Sequence, residues 1–122
     1  MHNVRLVYLY RDGSNYKRWS DVTFCNPEGL SLVTIGERLR AAFLPDGLFI
    51  AHRIGVPEVF LSDQDCFTHD DHCFHEFDSV EVTAEAPKDR RTVSEFIREV
   101  EGAAREGWKA FDPADRFYHG CL

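Results

Sequence analysis

No stretch of this sequence approaches the roughly 18 consecutive apolar residues that a membrane-spanning helix requires, so no such helix is expected. The first residues, Met1 to Arg5, lack a basic region followed by an apolar block, which argues against a secretory signal and for the cytoplasm. Cysteine is sparse, at four residues, and no two of them form a Cys-x2-Cys pair. In a cytosolic chain such cysteines are expected as free thiols or ligands rather than disulfides. No Gly-rich phosphate loop occurs, and neither Cys25 nor Cys73 stands where a helix N-terminus would lower its pKa. Phosphoryl transfer and thiol catalysis therefore have little to stand on, and an enzyme is not the favoured reading.

The most informative absence is local. Between Asp63 and Glu81 there is no lysine or arginine, while seven carboxylates, three of the six histidines and two of the four cysteines fall there. The formal charge of the chain is −7, so this segment carries the equivalent of the whole imbalance. The acidic balance, with a sequence pI near 5.3, disfavours nucleic acid and anionic membranes as partners and suits a basic protein surface.

What is present suffices for one folded domain over residues 1–122. The composition is 43% apolar with ten phenylalanines, enough for a core without covalent staples. Val4 to Tyr10 is dense in β-formers. Asp12, Gly13 and Asn15 supply turn chemistry, and Lys17 to Cys25 alternates, which predicts a hairpin. Ser31 is a candidate N-cap for a helix whose Leu32, Ile35, Leu39, Ala42 and Phe43 recur at helical spacing, with Leu44 to Gly47 ending it. Leu48 to Ile54 reads as a third strand, Val56 to Leu61 as a short edge strand, and Cys73 to Thr83 as another. Thr92 and Glu95 have the form of a capping box before a helix with Val93, Phe96, Ile97, Val100 and Ala104 on one face, ended by Gly107. Trp108, Phe111 and Phe117 are expected to pack the tail against the domain. The expected fold is α+β: a mixed or antiparallel sheet of four to five strands with two helices, in the order ββαβ(β)βα. A hairpin followed by a helix opens a β-grasp-like fold, with a ferredoxin-like split as the competitor.

The runs Tyr8-Leu9-Tyr10-Arg11-Asp12-Gly13-Ser14-Asn15-Tyr16-Lys17 and His75-Glu76-Phe77-Asp78-Ser79-Val80-Glu81 resemble small bacterial or phage proteins to which no activity is attached. The resemblance implies such an origin and nothing about chemistry.

Two surfaces stand out as candidate sites. The hairpin tip interleaves basic and aromatic residues, with Arg11, Tyr16, Lys17 and Trp19 as candidate contacts, the residue types enriched at protein hot spots. The acidic segment offers Asp70, Asp71, Glu76 and Asp78 as a recognition face. A protein partner or a homo-oligomer is therefore expected, without a cofactor. The alternative is a metalloprotein, zinc by ligand type, with Cys66, His69, His72 and His75 as ligands. An extended backbone from His72 would place His72 and Phe74 on one side and Cys73 and His75 on the other, so local convergence would stop at two ligands. His52, alone on a predicted strand, reads as a structural histidine.

Overall fold

The computed structural model describes residues 2–60 and 71–113. The hairpin forms as expected, from β1 (Asn3–Arg11) and β2 (Lys17–Phe24), in unbroken register from Val4 opposite Phe24 to Arg11 opposite Lys17. Its turn is held by Asp12, whose Oδ1 accepts the backbone N–H of Ser14 (2.9 Å) and Tyr16 (3.0 Å). Asn15 takes the left-handed conformation (φ 70°) that asparagine tolerates better than most residues.

Helix α1 (Leu32–Ala42) starts at Ser31, whose hydroxyl accepts the Thr34 N–H at 3.1 Å. Helix α2 (Val93–Glu106) starts with the full capping box: Glu95 N–H donates to Thr92 Oγ1, and Thr92 N–H to Glu95 Oε1. Gly107, at φ 92°, closes it.

The third strand is far shorter than the sequence suggests. Only Leu48–Phe49 forms β3, and Ala51–Ile54 instead winds into a 3-10 turn ended by Gly55 in the left-handed region (φ 69°). The apolar run thus folds into a plug that buries Ile50, Ala51 and Ile54, with its backbone bonded locally from Arg53 N–H to Ile50 O and from Val56 N–H to Ala51 O. No strand forms over residues 56–60 either.

Strand β4 (His75–Thr83) completes a four-stranded sheet of order β2-β1-β4-β3, antiparallel throughout. Of the sheet types anticipated, the antiparallel one forms. A β-grasp domain pairs its first and last strands in parallel, so the chain shares that fold's opening but not its central pairing. Between β1 and β4 the register shifts, with Val7 opposite Ser79 and Tyr8 opposite Phe77, so Asp78 is an extra, exposed residue in a β-bulge.

One face of the sheet carries the core. Val4, Leu6 and Tyr8 of β1 and Val22 and Phe24 of β2 pack with Ile35 and Leu39 of α1 and Val93, Phe96, Ile97 and Val100 of α2. Phe24 stacks on Phe96 with ring centroids 4.5 Å apart, and Phe43 on Phe49 at 4.8 Å. Trp108 brings the segment after α2 back onto the core, its Nε1–H donating to the Ala42 carbonyl at 3.0 Å. Phe111 lies edge-on to His52 at 5.2 Å, and Phe117 falls outside the described residues. No described helix is long and apolar enough to cross a membrane.

Arg91 joins the pieces that no strand pairing connects. Its guanidinium forms a two-point pair with Asp89 (Nε to Oδ1 2.9 Å, Nη2 to Oδ2 2.6 Å) and donates to the carbonyls of Ile54 (2.8 Å) and Gly55 (3.2 Å). It also lies over the Phe96 ring at 5.1 Å. The two side chains are only 16% and 13% exposed, and the guanidinium beside it holds the Asp89 carboxyl below its ordinary range. Removing one partner of such a pair strands the other. Arg91→Ala should therefore lower unfolding stability by about 3 kcal/mol in urea melts followed by circular dichroism, and Arg91→Lys, which lacks the planar fork, should recover less than half of that. A loss below about 0.5 kcal/mol, typical of a surface ion pair, would show that the clamp is not structural.

Candidate binding surface

Antiparallel pairing of β1 with β4 sets the end of one against the start of the other, with Leu9 opposite Glu76. The hairpin tip and the described half of the acidic segment are therefore neighbours. Arg11 and Glu76 form a two-point ion pair (Nε to Oε1 3.2 Å, Nη2 to Oε2 3.1 Å), and Arg11 also donates to Asn15 Oδ1 at 2.5 Å. The two surfaces anticipated separately meet as one.

Around that pair lies a cleft of about 540 Å³ lined by Arg11, Asp12, Asp46, Leu48, His72, Phe74 and Glu76. Beyond His72 and Phe74, a second groove of about 470 Å³ runs between Asp71–Phe74 and Ala110–Pro113. The cleft residues Asp46, Leu48 and Phe74 do not stand out in the sequence. Only the alternation of His72, Phe74 and Glu76 on one side of the extended chain hints at Phe74.

Burial follows the alternation expected for residues 72 to 75 and continues it to residue 77: Cys73, His75 and Phe77 are buried, and His72, Phe74 and Glu76 are partly exposed. Both ring nitrogens of His72 are engaged. Nδ1 accepts the Phe74 N–H at 3.0 Å, which puts the proton of the neutral ring on Nε2, and Nε2–H donates to the Arg11 carbonyl at 2.6 Å. Asp71 accepts the Tyr10 hydroxyl at 2.7 Å, and the same hydroxyl accepts the His72 N–H at 3.1 Å. Burial, then the bond to Asp71, pushes the Tyr10 phenol well above its ordinary range. Tyr8, whose hydroxyl donates to the Pro57 carbonyl at 2.6 Å, is pushed up to about 12 by burial.

His75 is 1% exposed and faces inward among the rings of Tyr8, Tyr10, Phe49 and Phe60. Its Nε2 accepts the Val59 N–H at 2.9 Å, and its Nδ1 is buried with no hydrogen-bond partner among the described residues. Burial first, then the neighbouring His72, lowers its pKa from 6.5 to about 4.

Of the sequence-predicted contacts, Arg11, Asp71 and Glu76 are drawn into this network, and Asp78 stands apart on the bulge. Lys17 and Trp19 lie on β2, and Tyr16 precedes it in the turn. Tyr16 and Trp19 are 69% and 54% exposed. Asp70, Cys66 and His69 lie outside the described residues. The two visible members of the metal set, His72 and His75, sit on opposite faces with their acceptor nitrogens already bonded. Among the described residues no group of three or more His, Cys, Asp or Glu side chains converges as metal ligands. Cys73 is buried, which raises its thiol pKa. His52, on the 3-10 turn rather than a strand, sits 3.5 Å from Glu58, in keeping with a structural role. Comparison with family models, with curated proteins and with solved structures gave no match.

His75 makes stability depend on pH in a defined direction. It is neutral when folded and titrates near 6.5 when unfolded, so the unfolded chain binds the extra proton as pH falls. The stability is fully present above about pH 6.5 and is lost progressively towards pH 4. Urea melts should show a loss of about 2 kcal/mol between about pH 7 and pH 5, and His75→Gln should flatten that slope whatever its stability at neutral pH. An equal slope in the variant would place the titration elsewhere.

Proposed function

We propose that this chain is a small binding protein that works through protein–protein contact, in the cytosol, with the hairpin and the adjoining start of β4 as its contact surface. The observation that carries this reading is the exposure of Tyr16 (69%) and Trp19 (54%) on the hairpin that also presents Arg11 and Lys17. Large aromatic side chains left in water beside cationic ones are the residues that dominate binding energy at protein interfaces. The polar groups of the neighbouring cleft support the same reading. Arg11 and Glu76 satisfy each other, and His72 spends both ring nitrogens on backbone groups, an arrangement suited to a fixed surface rather than to proton transfer.

Among the described residues, part of the predicted acidic face is already matched. Glu76 is matched by Arg11 and Asp71 by Tyr10, which leaves Asp78 as the exposed carboxylate of the predicted contact set on β4. A partner recognised here would therefore be selected by aromatic contact, with charge tuning orientation and rate.

A photo-reactive phenylalanine analogue at Tyr16, introduced in the source cells, should give a discrete cross-linked species that a second change, Trp19→Ala, reduces at least several-fold. The same probe at Arg98, exposed on α2, should give none. Equal adducts from both positions, or an adduct from position 16 indifferent to Trp19→Ala, would sink the proposal.

A further inference from the structure

The outer edge of β2 has a stretch left unpaired by the described residues, with Trp19 at its middle. In this strand the even-numbered residues Arg18, Ser20, Val22 and Phe24 lie opposite Tyr10, Tyr8, Leu6 and Val4 of β1. The odd-numbered residues turn their peptide groups outward, as three bonds show: the Thr23 carbonyl accepts the N–H groups of Lys88 (2.9 Å) and Asp89 (3.2 Å), and the Cys25 carbonyl accepts the Val93 N–H (2.9 Å). At Lys17, Trp19 and Asp21 the outward groups meet no partner among the described residues, and all three residues are exposed. The open length is bounded on one side by the left-handed turn residue Asn15 and on the other by the occupied Thr23 carbonyl. Its midpoint is Trp19.

We infer that β2 pairs with β2 of a second copy of this chain, antiparallel about a two-fold axis at Trp19, so that two four-stranded sheets join into one. This deepens the proposed contact surface and rests on it, since Trp19 belongs to both. Two-fold pairing about Trp19 sets Lys17 opposite Asp21 of the other copy, Trp19 opposite Trp19, and Asp21 opposite Lys17. All three are pairs that exchange both backbone hydrogen bonds, and their side chains share one face. A cation meets an anion at both ends of the ladder and an aromatic pair forms in the middle, each a favourable cross-strand combination. The charges that would guard an edge against indiscriminate pairing here match only this register. A shift by two residues would set Lys17 opposite Trp19 or Thr23 and lose both ion pairs, so the sequence selects its own copy in one alignment.

Sedimentation of the full chain up to millimolar concentration tests this. The expected result is a reversible dimer. Lys17→Asp, which sets aspartate against aspartate at both ends, should weaken it by about tenfold or more in dissociation constant. The double change Lys17→Asp with Asp21→Lys restores opposite charges and should return the affinity to within a few-fold of the original. Trp19→Pro removes an outward N–H that no described residue accepts, and should give a folded monomer. A chain that stays monomeric throughout, or a dimer indifferent to both the reversal and the swap, overturns the pairing. If a monomer still gives the Tyr16 adduct with a different protein, the contact surface stands and only the self-pairing falls.

Discussion

Arg91 is the fixed point of this molecule. It reaches from the loop before α2 to the carbonyls of Ile54 and Gly55, pairs with Asp89 and lies against Phe96. The segment it grips has almost no sheet of its own, because β3 is two residues long and the chain after it is turn and loop. Yet that segment covers the inner face of β1 and β4, where Pro57 receives the Tyr8 hydroxyl, Val59 meets His75 and Phe60 packs on Tyr10. Its hold depends on side chains rather than on ladder bonds. Gly55 fits the clamp twice over: its left-handed backbone suits glycine, and a Cβ there would come within 3.3 Å of the guanidinium.

The elements whose signals are local could be read from the sequence. Ser31, Thr92, Glu95 and Gly107 mark helix ends through bonds made within a few residues, and Asp12 holds the hairpin turn in the same way. The apolar run Leu48 to Ile54 misled because its pattern does not distinguish a strand from a buried turn. Its conformation is decided by contacts with α2 and Arg91, far away in sequence. Arg91 itself looks like one more charge in a loop, and nothing in Asp89-Arg90-Arg91 announces which arginine is buried.

The surface was legible in its parts and not in its assembly. Alternation separated His72 and Phe74 from Cys73 and His75, and composition drew attention to Arg11, Trp19 and Glu76. That Arg11 would neutralise Glu76 depends on β1 lying beside β4, a pairing between segments some sixty-five residues apart. An isolated residue list therefore overstates how much free charge the described part of this surface displays. A carboxylate counted as part of a recognition face in the sequence becomes half of an internal pair in the fold.

The bulge at Asp78 has a consequence for how β4 could change over time. On the Val80 side of it, the even-numbered residues lie opposite the core residues Leu6 and Val4 and Val80 packs against the core, whereas Phe77 and His75 on the other side are odd-numbered and also face inward. The extra residue resets the phase between two halves that would otherwise disagree. A lineage that lost this single codon would have to turn Phe77 and His75 into water or pull Val80 and Val82 off their register. Replacing the exposed Asp78 by another side chain disturbs no buried contact, so the position is free in identity but not in number.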